Sequence, residues 1–175
     1  DLELYYPISV ASSKDGKLLY VVSSNFDQRY KTGWLNVFDV ASLLNNAEQD
    51  WIDSLDGGKL DILSLAGRLT IDADGKHGVI AHRGSSYGGK SAMTVVDFEQ
   101  NGSLVSCGEK QIDDKLSAIE DMADCSGDHY LHFTTEDFSV EDLPDSSDIN
   151  SPFSSLFFKT ATGQKMLAVS FLRSG

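Results

Sequence analysis

PISVASSKDGKLLYVVSSNFDQRYKTGWLNVFD (residues 7–39) decides how this chain folds, because GRLTIDADGKHGVIAHRGSSYGGKSAMTVVD (67–97) repeats its layout. Each stretch runs through a strand-like segment, an Asp-Gly turn, a second apolar run, a polar loop and a third apolar run closed by Asp. The turn glycines Gly16 and Gly75 are 59 positions apart and the closing acids Asp39 and Asp97 are 58 apart. The one-residue slip falls inside the polar loop, where insertions cost least. Self-similarity at a period of this size marks repeat architectures, in which each unit buries its faces against its neighbours. A weaker third copy starts at SAIEDMADCSGDHYLHF (117–133), with Gly127 in its turn. A fourth is FSSLFFKTATGQKMLAVSFL (153–172), where Gly163 takes the place of Gly16.

Working outward, KLLYVV (17–22), WLNVFDV (34–40) and MTVVDF (93–98) are apolar without clean polar alternation, which fits strands covered on both faces. Asp15-Gly16 and Asp74-Gly75 are hairpin signals, because Gly accepts positive φ and Asp bonds its own backbone. Gly102 supplies another turn, leading into SLVSC as a fourth strand. Residues 40–55 break the pattern. Leu43, Leu44, Ala47 and Trp51 recur at helical spacing behind Asp39 as a cap, which predicts a short helical insertion near 41–52. The acidic, Ser-rich stretch 136–152, with Pro144 and Pro152, reads as a long loop.

Four-stranded antiparallel units repeated around an axis make a β-propeller. The expected fold is therefore all-β, a partial propeller with blades at about 1–60, 61–112, 113–150 and an incomplete one at 151–175. PISVASSKDGKLLYVVSSN…GWLNVFDVAS also resembles the blade motif of the YVTN/lactonase-like β-propeller superfamily. That motif couples a Pro before the innermost strand to SxDGxxLYV and then to a strand ending in Asp. The second copy departs from it at His77-Gly78, where the pattern wants an apolar pair. The resemblance implies a propeller and, because many such propellers are exported, an extracytoplasmic setting (periplasmic, secreted or surface-attached). Some members are lactonases or carry metal or quinone cofactors. None of their ligand motifs falls on this sequence, so none is carried over, and blade motifs identify fold better than function. With Asp1 at its head and its last unit stopping at a second strand, the chain is expected to be a piece of a larger propeller.

Of 175 residues, 27 are acidic and 14 basic, for a net charge of −13. Such a balance repels phosphate backbones and argues against nucleic acid as a partner. No apolar run is long enough to span a bilayer as a helix. Two cysteines, Cys107 and Cys125, do not define a disulfide framework; both flank strand-like runs, which leaves their pairing open, and separate buried thiols are the simpler reading.

The candidate site lies in the loops joining second and third strands, SNFDQRYKT (24–32) and HRGSSYGGK (82–90). They carry Arg29, Tyr30 and Lys31, and Arg83, Tyr87 and Lys90. Equivalent loops of successive blades gather on one face, where cations and aromatics on an acidic protein suit a carboxylate or a protein partner. The histidines give no metal site: His129 and His132 point to opposite sides of a strand, and His77 and His82 read as belonging to different strands. Asp72 and Asp74 open like a calcium loop, but His77 stands where such a loop needs Gly. Asp142, Asp145, Asp148 and Asn150 read as solvated loop acid. Asp39 and Asp97 read as acceptors of backbone N–H groups at strand ends. There is no GxSxG elbow and no Cys beside a base at a recognisable spacing. The expected function is a binding or scaffolding module without cofactor or catalysis, recognising a protein or a small anionic ligand, or completed by the remaining blades. The alternatives are a lactonase-like, metal-dependent hydrolase and a structural subunit of a surface assembly.

Overall fold

The computed structural model describes residues 4–30, 32–45, 55, 58–83, 91–100, 103–108, 130–133 and 149–173. Among them the chain is all-β and antiparallel, apart from one short helix. The first sheet has the order β1 (Pro7–Ser12), β2 (Leu18–Ser23), β3 (Gly33–Asp39), β4 (Lys59–Ile62), with α1 (Val40–Asn45) directly after β3. The second runs β5 (Ala66–Ile71), β6 (His77–His82), β7 (Ser91–Gln100), β8 (Ser103–Cys107), and β9 (Tyr130–Phe133) also pairs with β7. The third is the hairpin β10 (Ile149–Lys159) and β11 (Lys165–Arg173).

The turn chemistry repeats three times. Gly16, Gly75 and Gly163 have φ of 74°, 76° and 82°, a left-handed conformation that Gly adopts without a Cβ penalty. Each donates its N–H to the carbonyl three residues back, of Ser13, Asp72 and Thr160. Asp15 accepts from the Ser13 hydroxyl at 2.7 Å and from Lys17 N–H at 3.1 Å, which together hold its carboxyl down to about 2. Asp72 replaces Ser13 in the second turn and accepts from Lys76 N–H at 3.0 Å, while Thr160 accepts from Gln164 N–H at 3.1 Å in the third. The third turn is one residue tighter. Ser12 pairs with Leu19 and Ile71 with Gly78, but Lys159 pairs with Lys165.

The register shows how the sheets stack. Tyr20, Val22, Leu35 and Val37 of the first sheet share a buried cluster with Leu69, Ile80, Val96 and Phe98 of the second. On the other face of the second sheet, Val79, Ala81 and Met93 pack against Phe157, Leu167 and Val169 of the third. Within β6, Val79 and Ile80 thus point to opposite neighbours, as period-two alternation requires, and both are essentially buried. The cross-strand pairs nearest the turns (Ser12/Leu19, Ile71/Gly78, Lys159/Lys165) all lie on the face turned back toward the preceding sheet. The packing is head-to-tail: a forward face meets a backward face at both junctions. A six-residue turn like the other two would pair Lys159 with Met166 and turn the opposite face of β11 to the second sheet. Full burial of an aliphatic or aromatic side chain is worth about 1.5–3 kcal/mol, so these clusters carry most of the stability.

Polar links reinforce both junctions. Ser9 Oγ accepts from Leu69 N–H at 3.1 Å between the first and second sheets, and Ser155 Oγ donates to Thr70 Oγ1 at 2.9 Å between the second and third. Lys165 reaches Asp74 at 2.6 Å and Asp72 at 3.2 Å. Burial pushes the Asp72 carboxyl up, but the bonds from Lys76 N–H, Lys165 and His77 N–H outweigh it and leave the pKa below its ordinary value.

Several expectations change here. α1 begins where expected, with Asp39 Oδ1 accepting from Ser42 N–H at 2.7 Å, but its described extent stops at Asn45, and Ala47 and Trp51 lie outside the described residues. SLVSC is the fourth strand, as expected, and pairs with Val96–Gln100 of β7. YLHF, read as part of a third unit, belongs to the second sheet and pairs with Ser91–Thr94, the place β4 occupies on Gly33–Asn36 of β3. His77 and His82 share one strand, β6. Asp97 accepts from the His77 ring, Nδ1 to Oδ1 2.6 Å, in place of a backbone N–H. The His77-Gly78 departure acquires a cause. A Cβ on Gly78 would come within 2.9 Å of Phe98 Cε2, so the missing side chain makes room for the Phe98 ring, which packs at 4.4 Å from Tyr20 across the sheet junction. Cys107 is disulfide-bonded, not a separate thiol, and the sequence holds one other cysteine.

Candidate functional site

One end of the stack carries the left-handed glycine turns, and the other carries the 24–30 loop and Arg83, where the described part of the second candidate loop stops. The loop end is organised by Asn25, fully buried at φ 47°. Asn tolerates this left-handed conformation better than most residues. Its amide donates to Tyr30 C=O at 2.7 Å and to Ser64 Oγ at 2.8 Å, and accepts from Tyr30 N–H at 3.1 Å. The side chain therefore clamps both ends of the 25–30 loop and ties it to the link between the first two sheets. Leu65, also at positive φ (58°), donates its N–H to Ser24 C=O and accepts from Arg83 N–H. The bases of the two candidate loops are thereby joined through one residue.

On this base stands a row of rings. Tyr6 meets Tyr5 edge-on at 4.8 Å, Tyr5 meets Tyr30 at 5.0 Å, and Tyr30 meets Trp34 at 5.0 Å. These are the edge-to-face arrangements that aromatic quadrupoles favour. Lys59 lies over Trp34 at 5.5 Å, and Arg29 lies 6.0 Å from the Tyr5 ring centre. Tyr6, Phe26 and Tyr30 are about half exposed or more. Arg29 is already engaged, its Nε 2.8 Å from Asp27 Oδ2, which also accepts the Tyr5 hydroxyl at 3.0 Å. Partial desolvation and that hydrogen bond push the Tyr5 hydroxyl above its ordinary pKa. Arg83 stacks over Phe153 of the third sheet at 4.9 Å.

Of the residues singled out by sequence, the structure joins the loops of Arg29, Tyr30 and Arg83 on one end, while Lys31, Tyr87 and Lys90 lie outside the described residues. Sequence reasoning missed Tyr5 and Tyr6, just ahead of β1, and Trp34, Lys59 and Phe153 of other strands, which converge only in the fold. It also missed Asn25, whose signal was an Asn at the head of the loop. Beneath this end, His82 is fully buried and its Nε2 lies 2.6 Å from Thr94 Oγ1. Burial drives its pKa down to about 4; the carbonyls of Ser64 and Leu63 favour the protonated ring, but Nδ1 closes no hydrogen bond. Ser23, the equivalent position in the first sheet, is likewise buried with an unbonded hydroxyl. Among the described residues no three His, Cys, Asp or Glu side chains converge as metal ligands, and no helix is long and apolar enough to cross a membrane.

The chain matches no protein-family model, no curated protein and no solved structure.

Proposed function

We propose that the chain is an arc of a β-propeller whose loop end recognises a polypeptide partner, without chemistry of its own. Head-to-tail packing at two successive junctions supports the arc, because heterologous contacts of one kind generate rings. The observation that carries the recognition is the row Tyr6–Tyr5–Tyr30–Trp34, exposed in part and held rigid from below by Asn25. Rigid aromatics supply contact area at low entropic cost, and Tyr, Trp and Arg dominate binding hot spots. A polypeptide is favoured over a bare small anion because Asp27 already pairs with Arg29. The disulfide at Cys107 supports an extracytoplasmic setting, since such bonds persist in oxidising compartments.

Panning a random peptide library on the protein tests this reading. Selected peptides should lose at least about tenfold in affinity to the Tyr30→Ala/Arg83→Ala variant, roughly 1.4 kcal/mol, while thermal stability stays close to wild type. Peptides that ignore these changes and are displaced by substitutions at Lys14 or Lys76, on the opposite end, would overturn it.

A further inference from the structure

At the end opposite the aromatic row, the first two glycine turns border a groove of about 460 Å³, a volume in the range of small-molecule sites. Lys14 and Asp15 line it from the first turn, Asp74 and Lys76 from the second, and Phe98 and Glu99 from the end of β7. The Lys14 stem crosses to the second turn, where its Cβ lies 3.2 Å from the place a Cβ on Gly75 would take.

The charges along this groove fall into two groups. Asp15 is already paired with Lys17 at 3.2 Å, and Asp74 with Lys165 at 2.6 Å. Lys14, Lys76 and Glu99 line the same groove and form no ion pair among the described residues. Glu99 also stands at φ 54°, a left-handed conformation costly to a residue with a Cβ. Such conformations persist where the surroundings impose them, and they cluster at ligand clamps and active sites. Two unpaired ammonium groups and one unpaired carboxylate thus share a single opening. A simple cation would compete with Lys17 and Lys165 for the aspartates, and a simple anion would meet a chain of net charge −13. A small zwitterion meets neither obstacle: it has no net charge and offers each sign to its unpaired opposite.

We propose that this groove binds a free α-amino acid, its carboxylate held by Lys14 and Lys76 and its ammonium by Glu99. The site goes beyond the recognition assigned to the loop end, and it holds whether or not the arc closes into a ring.

Heteronuclear NMR titration of the labelled protein tests it, with L-glutamine as the zwitterion, L-glutaminamide as the cation alone and N-acetyl-L-glutamine as the anion alone. L-glutamine should give saturable shifts of the Lys14, Gly75 and Glu99 amides with a Kd below about 1 mM, and each capped form should bind at least about tenfold more weakly. Glu99→Gln should abolish the preference over the acetylated form, and Lys14→Met/Lys76→Met the preference over the amide. All three positions are exposed, so thermal stability should stay close to wild type. Equal responses to the three probes would overturn the proposal. So would shifts that never saturate, or saturable binding indifferent to these substitutions. The Tyr30→Ala/Arg83→Ala variant should bind L-glutamine as the wild type does, so failure at the groove and failure at the loop end are read separately.

Discussion

In the first sheet Asp39 ends β3 by capping α1, whereas in the second Asp97, at the equivalent position, takes a bond from His77 and β7 runs on to Gln100. Leu19 of β2 fills a place that Gly78 leaves open, and the Phe98 ring of the second sheet occupies it. Ser23 sits where the second sheet has His82. What the two sheets hold in common is the left-handed glycine turn, the strand register and the alternation of buried faces. These are requirements of the backbone and of stacking, and a change in them would flip or expose a whole face. Side chains at the strand ends meet no such constraint and diverge.

Substitutions that target the points of difference sharpen this comparison. The largest effect is expected at Phe98, the ring that replaces a Gly78 side chain. Phe98→Ala should cost about 3–5 kcal/mol by chemical denaturation, the range for a buried aromatic. A cost below 1 kcal/mol would mean that the ring does not fill the sheet junction.

Next is His82, which has no titratable counterpart in the first sheet. Its folded pKa of about 4 lies below the ordinary 6.5, so between these values the unfolded chain takes up a proton that the folded chain refuses. Stability should therefore fall as pH drops from about 6.5 to about 4 and then lose this slope, for a total of about 3 kcal/mol at 1.36 kcal/mol per unit. His82→Gln should flatten that limb, and an unchanged slope in the variant would refute the assignment.

The smallest expected difference separates the turn glycines. Ala at either one pays about 1–2 kcal/mol for the left-handed conformation. Gly75→Ala should cost more than Gly16→Ala, because a Cβ there meets Lys14 Cβ at 3.2 Å while the space around Gly16 is open. Equal melting temperatures for the two variants would remove Lys14 from the neighbourhood of the second turn.

What the sequence made legible follows the same division. The Asp-Gly turns, the apolar runs 17–22, 34–40 and 93–98, and the cap at Asp39 depend on neighbours a few residues away, and they can be read directly. The membership of YLHF in the second sheet could not, because it pairs with a strand about 40 residues earlier and short apolar runs carry no address. The aromatic row was half legible. Arg29 and Tyr30 stand together in one loop, but Lys59 and Trp34 meet only through the pairing of β4 with β3, and Tyr5 arrives from the segment ahead of β1. The single-residue deletion in the third turn is visible only from the register, since Gly163 keeps its place relative to Thr160.

The head-to-tail stack is tested most directly by nuclear Overhauser contacts from two adjacent methyl-bearing residues of β6 in this 19.1 kDa chain. Val79 methyls should show contacts to Phe157 and Leu167 and none to Tyr20, while Ile80 methyls should reach the cluster of Tyr20, Val22 and Phe98 and none of the third sheet. Contacts from both residues to the same neighbouring sheet, or from Ile80 to Leu167, would contradict the account.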